Sequence, residues 1–234
     1  MRVFADANVS MISITQPGQR ARRSLPAVRK RDIDKPIIRS LDITIAIVAL
    51  IFISPLLLVV IVVLAFEGGP VIFAHRRVGL GGNSFYCLKF RSMVVDAEER
   101  LSRLLRDDPE AQQEWLRDHK LRNDPRITRF GQFLRRSSVD ELPQLLNVLR
   151  GEMSIVGPRP IVDAELPRYG RRISSYYAVK PGITGIWQVS GRNQLSFNQW
   201  MYLDMAYIDH WSLTEDLRLL LQTIPVVFSG KGAS

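Results

Sequence analysis

The sequence predicts an α+β fold, mainly helical, in which a membrane segment precedes a small cytoplasmic domain with interfacial amphipathic helices. Three observations lead to this prediction. The stretch from Ile43 to Phe66 carries no charge, basic residues stand on both sides of it, and the remainder mixes short apolar runs with helical hydrophobic spacing. The expected parts are a mobile basic arm at 1–35, a membrane helix at 36–67 and a folded domain at 68–234.

Composition narrows the classes of function. The 234 residues are 46% hydrophobic, which excludes an intrinsically disordered chain. Cys87 is the one cysteine in the sequence, which excludes an internal disulfide and a zinc site built from several thiolates. Lys and Arg total 32 against 23 Asp and Glu, a net charge of +9. This excess indicates an anionic partner, which nucleic acid, a membrane surface or a phosphorylated substrate would each provide.

The membrane segment contains a Ser-Pro pair at its midpoint that is expected to bend or break a helix. As a single helix it would be long enough to cross the membrane, at about 1.5 Å per residue against a hydrocarbon core of roughly 30 Å. Pro55, however, removes a backbone donor and would clash with the carbonyl of Ile51, and the Ser54 hydroxyl can bond a freed carbonyl one turn back. Basic flanks on both sides favour the cytoplasm for both ends. These residues favour a re-entrant helix broken at Ser54-Pro55, and a kinked single span stays the alternative.

The basic arm favours membrane lipids as its partner. Arginine and lysine close to a membrane segment are attracted to anionic headgroups. The arm lacks the aromatic residues, interleaved with basic ones, that are expected of a segment binding nucleic acid.

The folded domain opens with two predicted strands, Val71 to Ala74 and Ser84 to Phe90, around a glycine-rich turn. That turn lacks the third glycine and the following helix of a dinucleotide-binding loop. A charged helical stretch from Met93 to Leu121, broken near Asp108-Pro109, comes next. Two amphipathic helices are predicted from Leu195 to Phe228, and both lipid-interface binding and core packing would explain their aromatic residues.

The stretch around Asp140 and Glu141 carries the strongest chemical signal in this domain. Ser138 and Glu141 have the spacing of a capping box and Pro143 suits the first turn of a helix, so a helix is expected to begin near the two acids. Adjacent helical residues point about 100° apart, which lets one carboxylate hold a metal while its neighbour faces a substrate. A helix start also offers backbone donors to a phosphate. An ordinary capped helix start with exposed acids explains the same residues.

Basic residues lie on both sides of these acids in the sequence, some of them next to proline or glycine. Arg135 lies just upstream, Arg159 stands between two prolines, and Arg192 follows a glycine. A guanidinium held in this way can bind an oxyanion through two parallel hydrogen bonds. A structural salt bridge is the alternative for Arg159.

Four blocks, taken together and in order, resemble one family. They are Arg39-x-x-Asp42 ahead of the Ser-Pro helix, and then RRVGLGGNSFYCLKFRSM, RITRFGQFLRRSSVDELPQLLNVLRGEMSIVGPRP and VKPGITGIWQVSGRN. This order resembles the bacterial polyprenyl-phosphate hexose-1-phosphate transferases, also called the bacterial sugar transferase family. The resemblance covers roughly Arg39 to Phe228, and departures such as Glu152 in place of the family's common aspartate remove no catalytic part.

The resemblance implies a monotopic enzyme on the cytoplasmic face of the bacterial inner membrane, with a re-entrant Ser-Pro helix and a catalytic domain at 68–234. It implies transfer of hexose-1-phosphate, with galactose or glucose as the hexose, from a UDP-sugar to undecaprenyl phosphate. UMP is released, as the first membrane step in building an exopolysaccharide or another surface glycan. At the matching positions it implies Asp140 as the nucleophile and Glu141 as the magnesium ligand. The phosphates are then surrounded by four basic residues, Lys89, Arg135, Arg159 and Arg192.

Two other functions remain compatible with the residues. A membrane-tethered scaffold or nucleic-acid-binding protein would explain the pI of about 10.1 and would leave Asp140 and Glu141 unused. A membrane phosphatase or pyrophosphatase would use the same acids and transfer to water. We expect a UDP-sugar, polyprenyl phosphate and membrane lipids as partners and no nucleic acid, and the sequence allows a homodimer without requiring one.

Overall fold

The computed structural model describes residues 36–118, 121, 123–190 and 196–229. The basic arm predicted at 1–35 and the predicted phosphate ligand Arg192 lie outside the described residues. Within them the protein is mainly helical and has two small two-stranded sheets, which confirms a mainly helical chain with a small sheet content.

Helices and strands alternate along the described chain. The α-helices are α1 Pro36–Phe66, α2 Ala97–Asp107, α3 Pro109–Asp118, α4 Arg129–Ser137, α5 Gln144–Arg150, α6 Leu166–Tyr169, α7 Ile173–Tyr176, α8 Ile186–Val189, α9 Phe197–His210 and α10 Leu213–Ser229. The strands are β1 Ile72–Val78, β2 Ser84–Phe90, β3 Ser154–Val156 and β4 Gly182–Thr184. Short 3-10 turns lie at Leu80–Gly82, Val139–Glu141, Asp163–Glu165 and Gly170–Arg172.

Helix α1 continues through its proline. Pro55 cannot donate to the carbonyl oxygen of Ile51, and the Ser54 hydroxyl donates to that oxygen instead, at 2.8 Å. The predicted compensation is therefore confirmed. The helical backbone is uninterrupted from Pro36 to Phe66, so the Ser-Pro pair does not end the helix, and the re-entrant bend stays a prediction.

Helix α1 has one side packed on the domain and the rest of its surface bare. Among the described helices it is the one long and apolar enough to cross a membrane. Its buried apolar residues are Ile38, Ala46, Val60 and Leu64. Its exposed large apolar residues are Ile37, Leu41, Ile47, Val48, Ile51, Phe52, Leu56, Leu58, Val59, Ile61, Val62 and Phe66. An apolar surface of this extent is expected to face lipid.

The N-terminal part of α1 is tied to the domain by two charged side chains one turn apart. Arg39 donates to the carbonyl oxygens of Val148 at 2.6 Å and Leu149 at 2.9 Å, at the end of α5. A cation is favourable there because the last carbonyls of a helix carry partial negative charge. The Asp42 carboxylate accepts from the Ser154 hydroxyl at 2.9 Å and from the next backbone N–H, also at 2.9 Å.

At the C-terminal end of α1 the contact is made by a side chain of the domain, a buried arginine, and not by a side chain of the helix. Arg91, directly after β2, donates to the carbonyl oxygens of Gly68 and, at 3.2 Å, Leu64. Its guanidinium also lies 3.7 Å from the Glu67 carboxylate. A side chain at Gly69 would collide with this guanidinium, and the φ of +80° at that position also favours glycine.

Strands β1 and β2 form an antiparallel hairpin that pairs Ile72 with Phe90 and Val78 with Ser84. The bounds of β2 match the prediction, whereas β1 runs four residues further than Ala74. The charged residues that ended the predicted strand alternate between its two faces, which a strand tolerates. The turn between the strands opens no α-helix, which confirms that it is not a dinucleotide-binding loop.

The later helices agree with the predicted pattern. Asp108 separates α2 from α3 and accepts from the backbone of Glu110 at 2.9 Å, which confirms the predicted break. Helix α9 buries Tyr207 in the core and exposes Tyr202, so packing explains the first of these aromatic residues and interfacial binding stays a prediction for the second. Helix α10 continues through Pro225 and exposes Leu217, Leu221 and Ile224 on one stripe, and interfacial binding stays a prediction for it.

Asn147 joins the hairpin to α5. It is fully buried, accepts from the Leu88 N–H at 3.0 Å, and donates to the Tyr86 carbonyl at 2.8 Å and to the Glu152 carboxylate at 2.7 Å. These bonds satisfy the free edge of β2 at the point where the strand passes the acid-bearing turn. A buried backbone edge needs such partners because water cannot reach it.

Asn147→Ala is expected to destabilise the protein by about 2–3 kcal/mol, because it leaves the partly buried Leu88 N–H and Tyr86 carbonyl unpaired and removes a fully buried side chain. Chemical denaturation in one detergent would measure this change. The isosteric Asn147→Asp keeps the oxygen that accepts from Leu88 and loses the N–H groups that donate to Tyr86 and Glu152. This variant should therefore also be less stable than the wild type. An Asn147→Ala protein as stable as the wild type would contradict the role assigned to this side chain.

Candidate active site

The two predicted acids lie in the 3-10 turn Val139–Glu141 between α4 and α5. Helix α5 begins at Gln144, so the α-helix starts later than predicted. The capping-box prediction is wrong. Ser138 has a left-handed backbone, φ 57°, and makes no capping hydrogen bond with its side chain. This conformation turns the chain between the two helices, whereas an N-cap residue normally has an extended backbone.

Lys89 of β2 meets the acids directly. Its Nζ lies 2.7 Å from Oε1 of Glu141, and both side chains are about 30% exposed, at 29% and 30%. Burial alone would lower the pKa of Lys89, but the carboxylates of Glu141 and Asp140 outweigh burial and raise the pKa above its usual value. Lys89 therefore stays cationic beside the acid pair.

Asp140 is the more buried of the two acids, with 8% of its surface exposed. Burial, and next the negative charge of Glu141, raise the pKa of Asp140 to about 6, against the opposing effect of Lys89 and Arg135. At neutral pH Asp140 is therefore mostly ionised while being poorly solvated. A carboxylate in this state is suited to act as a nucleophile.

Arg135, in the last turn of α4, completes this group. Its Nε donates to the Ser92 hydroxyl at 2.8 Å. Burial lowers the pKa of Arg135, and the charge of Asp140 acts in the opposite direction. The structure thus brings Lys89 and Arg135 together with both acids, while the functional roles of these four residues stay predictions.

Arg159 belongs to a neighbouring cluster. Its guanidinium forms an ion pair with Glu165 at 3.1 Å and lies over the Trp200 ring at 4.8 Å and the Trp187 ring at 5.9 Å from the centroids. Its backbone N–H donates to buried Asp204 at 3.2 Å. The salt bridge anticipated as the structural alternative is therefore present, and a phosphate ligand at this position would compete with Glu165.

Two residues near the site were missed by the sequence reading, His75 and Arg77. The antiparallel register pairs His75 with Cys87 and Phe73 with Lys89, so His75 and Arg77 share the face of the hairpin that carries Lys89. The period-two alternation of His75 and Arg77 was the available signal, and ending the predicted strand at Ala74 hid it.

The acids fit magnesium as an ion shared with a ligand. Magnesium prefers hard oxygen donors and is usually held by one or two carboxylates together with substrate phosphates and water. Asp140 and Glu141 offer two such carboxylates, and the described residues contain no group of three or more side chains suited to enclosing a metal ion. The donor set therefore suits a site completed by a phosphorylated substrate, with Glu141 as the more accessible ligand.

Comparison with known proteins identifies the family. The sequence model described as bacterial sugar transferase matches residues 33–230, which is most of the chain. The chain belongs to the bacterial sugar transferase family. This assignment confirms the resemblance drawn from the four sequence blocks, and it places the acid-bearing turn and the membrane helix within the part of the chain that defines the family.

Several relatives of this family member have been given functional names. It is 50% identical over 195 residues to the UDP-galactose-lipid carrier transferase of Erwinia amylovora. It is 49% identical over 195 residues to the undecaprenyl-phosphate galactose phosphotransferase of Salmonella typhimurium. Each match covers 83% of this chain but 41% of the relative, so the chain spans about two fifths of those proteins. The exopolysaccharide production protein ExoY of Rhizobium meliloti is 47% identical over 196 residues, 83% of this chain and 87% of ExoY.

Asp204→Asn is expected to become increasingly stabilising, relative to the wild type, as pH rises from 5 to 8. Burial raises the pKa of Asp204 from an ordinary 3.8 to about 8. At pH 5 the unfolded protein has already lost the Asp204 proton, while the folded protein keeps it up to about pH 8, so the contribution of this acid to stability falls as pH rises through this interval. Asparagine has no such proton and its carbonyl can still accept from Arg159.

Thermal midpoints of both proteins at pH 5, 6.5 and 8 in one detergent would measure this trend. A difference between variant and wild type that is constant with pH would contradict the raised pKa.

Proposed function

We propose that the protein transfers hexose-1-phosphate from a UDP-sugar to undecaprenyl phosphate, releasing UMP, as the initiating membrane step of exopolysaccharide or surface glycan synthesis. The observation that carries the proposal is the Asp140–Glu141 pair, in which Glu141 binds Lys89 at 2.7 Å and which follows Val139, a residue of the apolar cluster formed with α1. The names of the relatives support a nucleotide-sugar donor and an undecaprenyl phosphate acceptor. Galactose is the hexose in those names, and glucose is the second candidate.

The proposed reaction has two displacements at one phosphorus atom. A carboxylate oxygen of Asp140 attacks the sugar-bearing phosphorus, the bond from that phosphorus to the bridging oxygen breaks, and the electron pair leaves on UMP. A phosphate oxygen of the polyprenyl phosphate then attacks the phosphosugar-aspartate, and the Asp140 carboxylate leaves with its electron pair. No proton is consumed in either step, and two easier displacements replace one difficult one.

The surrounding charges suit this chemistry. Attack by one anion on another is opposed by repulsion, and fixed cations such as Lys89 and Arg135 offset it in a poorly solvated site. Glu141 would hold magnesium, which when bound neutralises phosphate charge as a Lewis acid. Arg159 and Arg192 are further proposed phosphate ligands, and Arg159 would exchange Glu165 for phosphate.

The membrane helix supports an active site at the lipid surface. Val60 and Leu64 of α1 pack with Val139, which directly precedes Asp140 in the chain. A polyprenyl phosphate lying beside α1 would therefore present its headgroup close to the acids. A soluble UDP-sugar would approach from the opposite, aqueous side of the domain.

The two ends of α1 favour a re-entrant arrangement on the cytoplasmic face of the inner membrane. Asp42 is bonded to Ser154, and Leu64 to Arg91, so both ends lie against one polar domain. If α1 crossed the bilayer, its two ends would lie on opposite sides of a hydrocarbon core of roughly 30 Å. Ser154 and Arg91, which bind those ends, would then have to lie on opposite sides as well. Burying the intervening polar residues of the domain in lipid would be strongly unfavourable.

Asp140→Asn is expected to lower UMP release by about 1,000-fold or more, because an amide is a poor nucleophile. Glu141→Gln should mainly raise the magnesium concentration needed for half-maximal rate. The measurement is UMP release from UDP-galactose and UDP-glucose with undecaprenyl phosphate and magnesium. Exposed Glu99→Gln on α2 is the matched control and should leave the rate unchanged.

Full UMP release by Asp140→Asn would remove the assignment of the nucleophile. UMP release by the wild-type protein that proceeds equally well without undecaprenyl phosphate would replace the transferase with a hydrolase.

Both flanks of α1 are expected on the cytoplasmic side. In a Cys87→Ser background, Arg31→Cys and Val95→Cys would be treated with a membrane-impermeant maleimide, in intact spheroplasts and after permeabilisation. We expect labelling of both positions only after permeabilisation, since both ends of the helix are tied to one domain. Labelling of Arg31→Cys in intact spheroplasts would refute the re-entrant arrangement.

A further inference from the structure

Arg77 is a partly buried cation that lacks a carboxylate partner in the described part of the chain. Its Nη1 donates to the carbonyl oxygen of Pro160 at 3.0 Å. Its Nε is buried and has no hydrogen-bond partner there. Withdrawing a guanidinium from water without an opposite charge or a full set of hydrogen bonds is unfavourable. A group in this state is suited to take up an anion.

The cations around Arg77 are each matched by an acid, which sets Arg77 apart. Lys89 pairs with Glu141 at 2.7 Å, and Arg159 pairs with Glu165 at 3.1 Å. Burial, and next the positive charge of Arg159, lower the pKa of Arg77. The Glu165 carboxylate opposes this effect but is already paired with Arg159, so an anion at Arg77 would relieve the repulsion between the two guanidinium groups.

The hairpin register places Arg77 in line with the acid pair. Lys89 lies opposite Phe73, and His75 and Arg77 follow along the same face of β1. Neighbouring residues on one strand face are about 7 Å apart, so the row runs from Lys89 through His75 to Arg77. A diphosphate joins its two phosphorus atoms through one oxygen, so Lys89 and Arg77 would share it by extending their long side chains toward His75 from the two ends of this row.

The direction of β1 distinguishes the two phosphates that could occupy this position. The strand leaves the C-terminal end of α1 at Ile72, and Arg77 is near its far end, next to the turn at Leu80–Gly82. The lipid phosphate is expected at the end of the row nearest α1, where Lys89 lies. Arg77 is therefore better placed for the phosphate of the water-soluble donor.

We propose that Arg77 binds the phosphate that leaves with uridine, that is, the phosphate of UMP, in a subsite beside the Asp140–Glu141 pair. This inference rests on the proposed function, because only a nucleotide-sugar donor supplies such a phosphate. Arg77 forms and breaks no covalent bond. It binds the donor's second phosphate through charge-assisted hydrogen bonds and stabilises the negative charge that UMP gains on leaving.

The test compares UMP with uridine, since the two ligands differ only in the phosphate. Arg77→Gln is expected to weaken UMP binding by about tenfold or more, the effect of losing a hydrogen bond to a charged group, and to change uridine binding less than twofold. Arg77→Lys keeps the charge and loses the planar fork, so UMP binding should weaken by a smaller factor. Calorimetry or ligand competition in one detergent would measure both affinities.

Arg76→Gln is the matched control. Arg76 is the next residue on β1, on the opposite face, where it is exposed and pairs with Asp163 at 3.5 Å. Its substitution should leave the affinities for UMP and uridine unchanged. The KM for undecaprenyl phosphate should stay within twofold of the wild-type value in Arg77→Gln.

Four outcomes would overturn the inference. They are an unchanged UMP affinity in Arg77→Gln, equal weakening of UMP and uridine, a larger effect of Arg76→Gln, and a raised KM for undecaprenyl phosphate with UMP binding intact. If Arg77→Gln does not fold, the UMP-to-uridine ratio of Arg77→Lys decides the question. A wild-type protein that binds UMP but releases none from any UDP-sugar would sink the proposed function, whereas an active wild type with an unchanged UMP-to-uridine ratio in Arg77→Gln would sink only this subsite.

Discussion

The ion pair between Lys89 and Glu141 is the interaction on which the rest of the site depends. It joins the hairpin to the turn between α4 and α5, two parts of the chain that are distant in sequence. It keeps a positive charge beside two adjacent carboxylates, which would otherwise repel each other in a half-buried setting. Asp140 can then remain mostly ionised at neutral pH although burial raises its pKa to about 6. Loss of either partner would leave a charge unpaired and alter the pKa of the proposed nucleophile.

Helix α1 contacts the chain on both sides of the acid pair. The turn that carries Asp140 rests on Val139, which packs with the C-terminal half of α1. The helix that follows this turn, α5, receives Arg39 from the N-terminal part of α1 at its last carbonyls. The apolar helix and the acid-bearing turn are thus joined by direct contacts, without an intervening linker. The position of the acid-bearing turn therefore follows the position of α1.

Local signals in the sequence predicted the elements that local forces determine. The uncharged stretch predicted α1, and Asp108-Pro109 predicted the break between α2 and α3. The Ser54-Pro55 pair predicted that the Ser54 hydroxyl bonds a carbonyl oxygen left free by the proline. Family resemblance singled out Asp140 and Glu141, and Lys89 proved to lie beside them. What the sequence could not provide were the features set by distant contacts. The left-handed backbone at Ser138 replaced the expected capping box, and Arg159 found Glu165 and two tryptophan rings as partners. Arg77 escaped notice because its significance depends on which residues lie across the hairpin.

Two neighbouring side chains of the hairpin and its exit contact the acid pair and the membrane helix. Lys89 and Arg91 are two residues apart, and the first contacts the acids while the second holds the C-terminal end of the membrane helix. Two residues of extended chain span about 7 Å. The acid pair and the C-terminal end of α1 are therefore held by side chains that are one pleat of backbone apart. In the proposed transfer, this spacing would make the depth of the prenol phosphate headgroup, and not the length of its tail, the property that decides whether it reaches the acids.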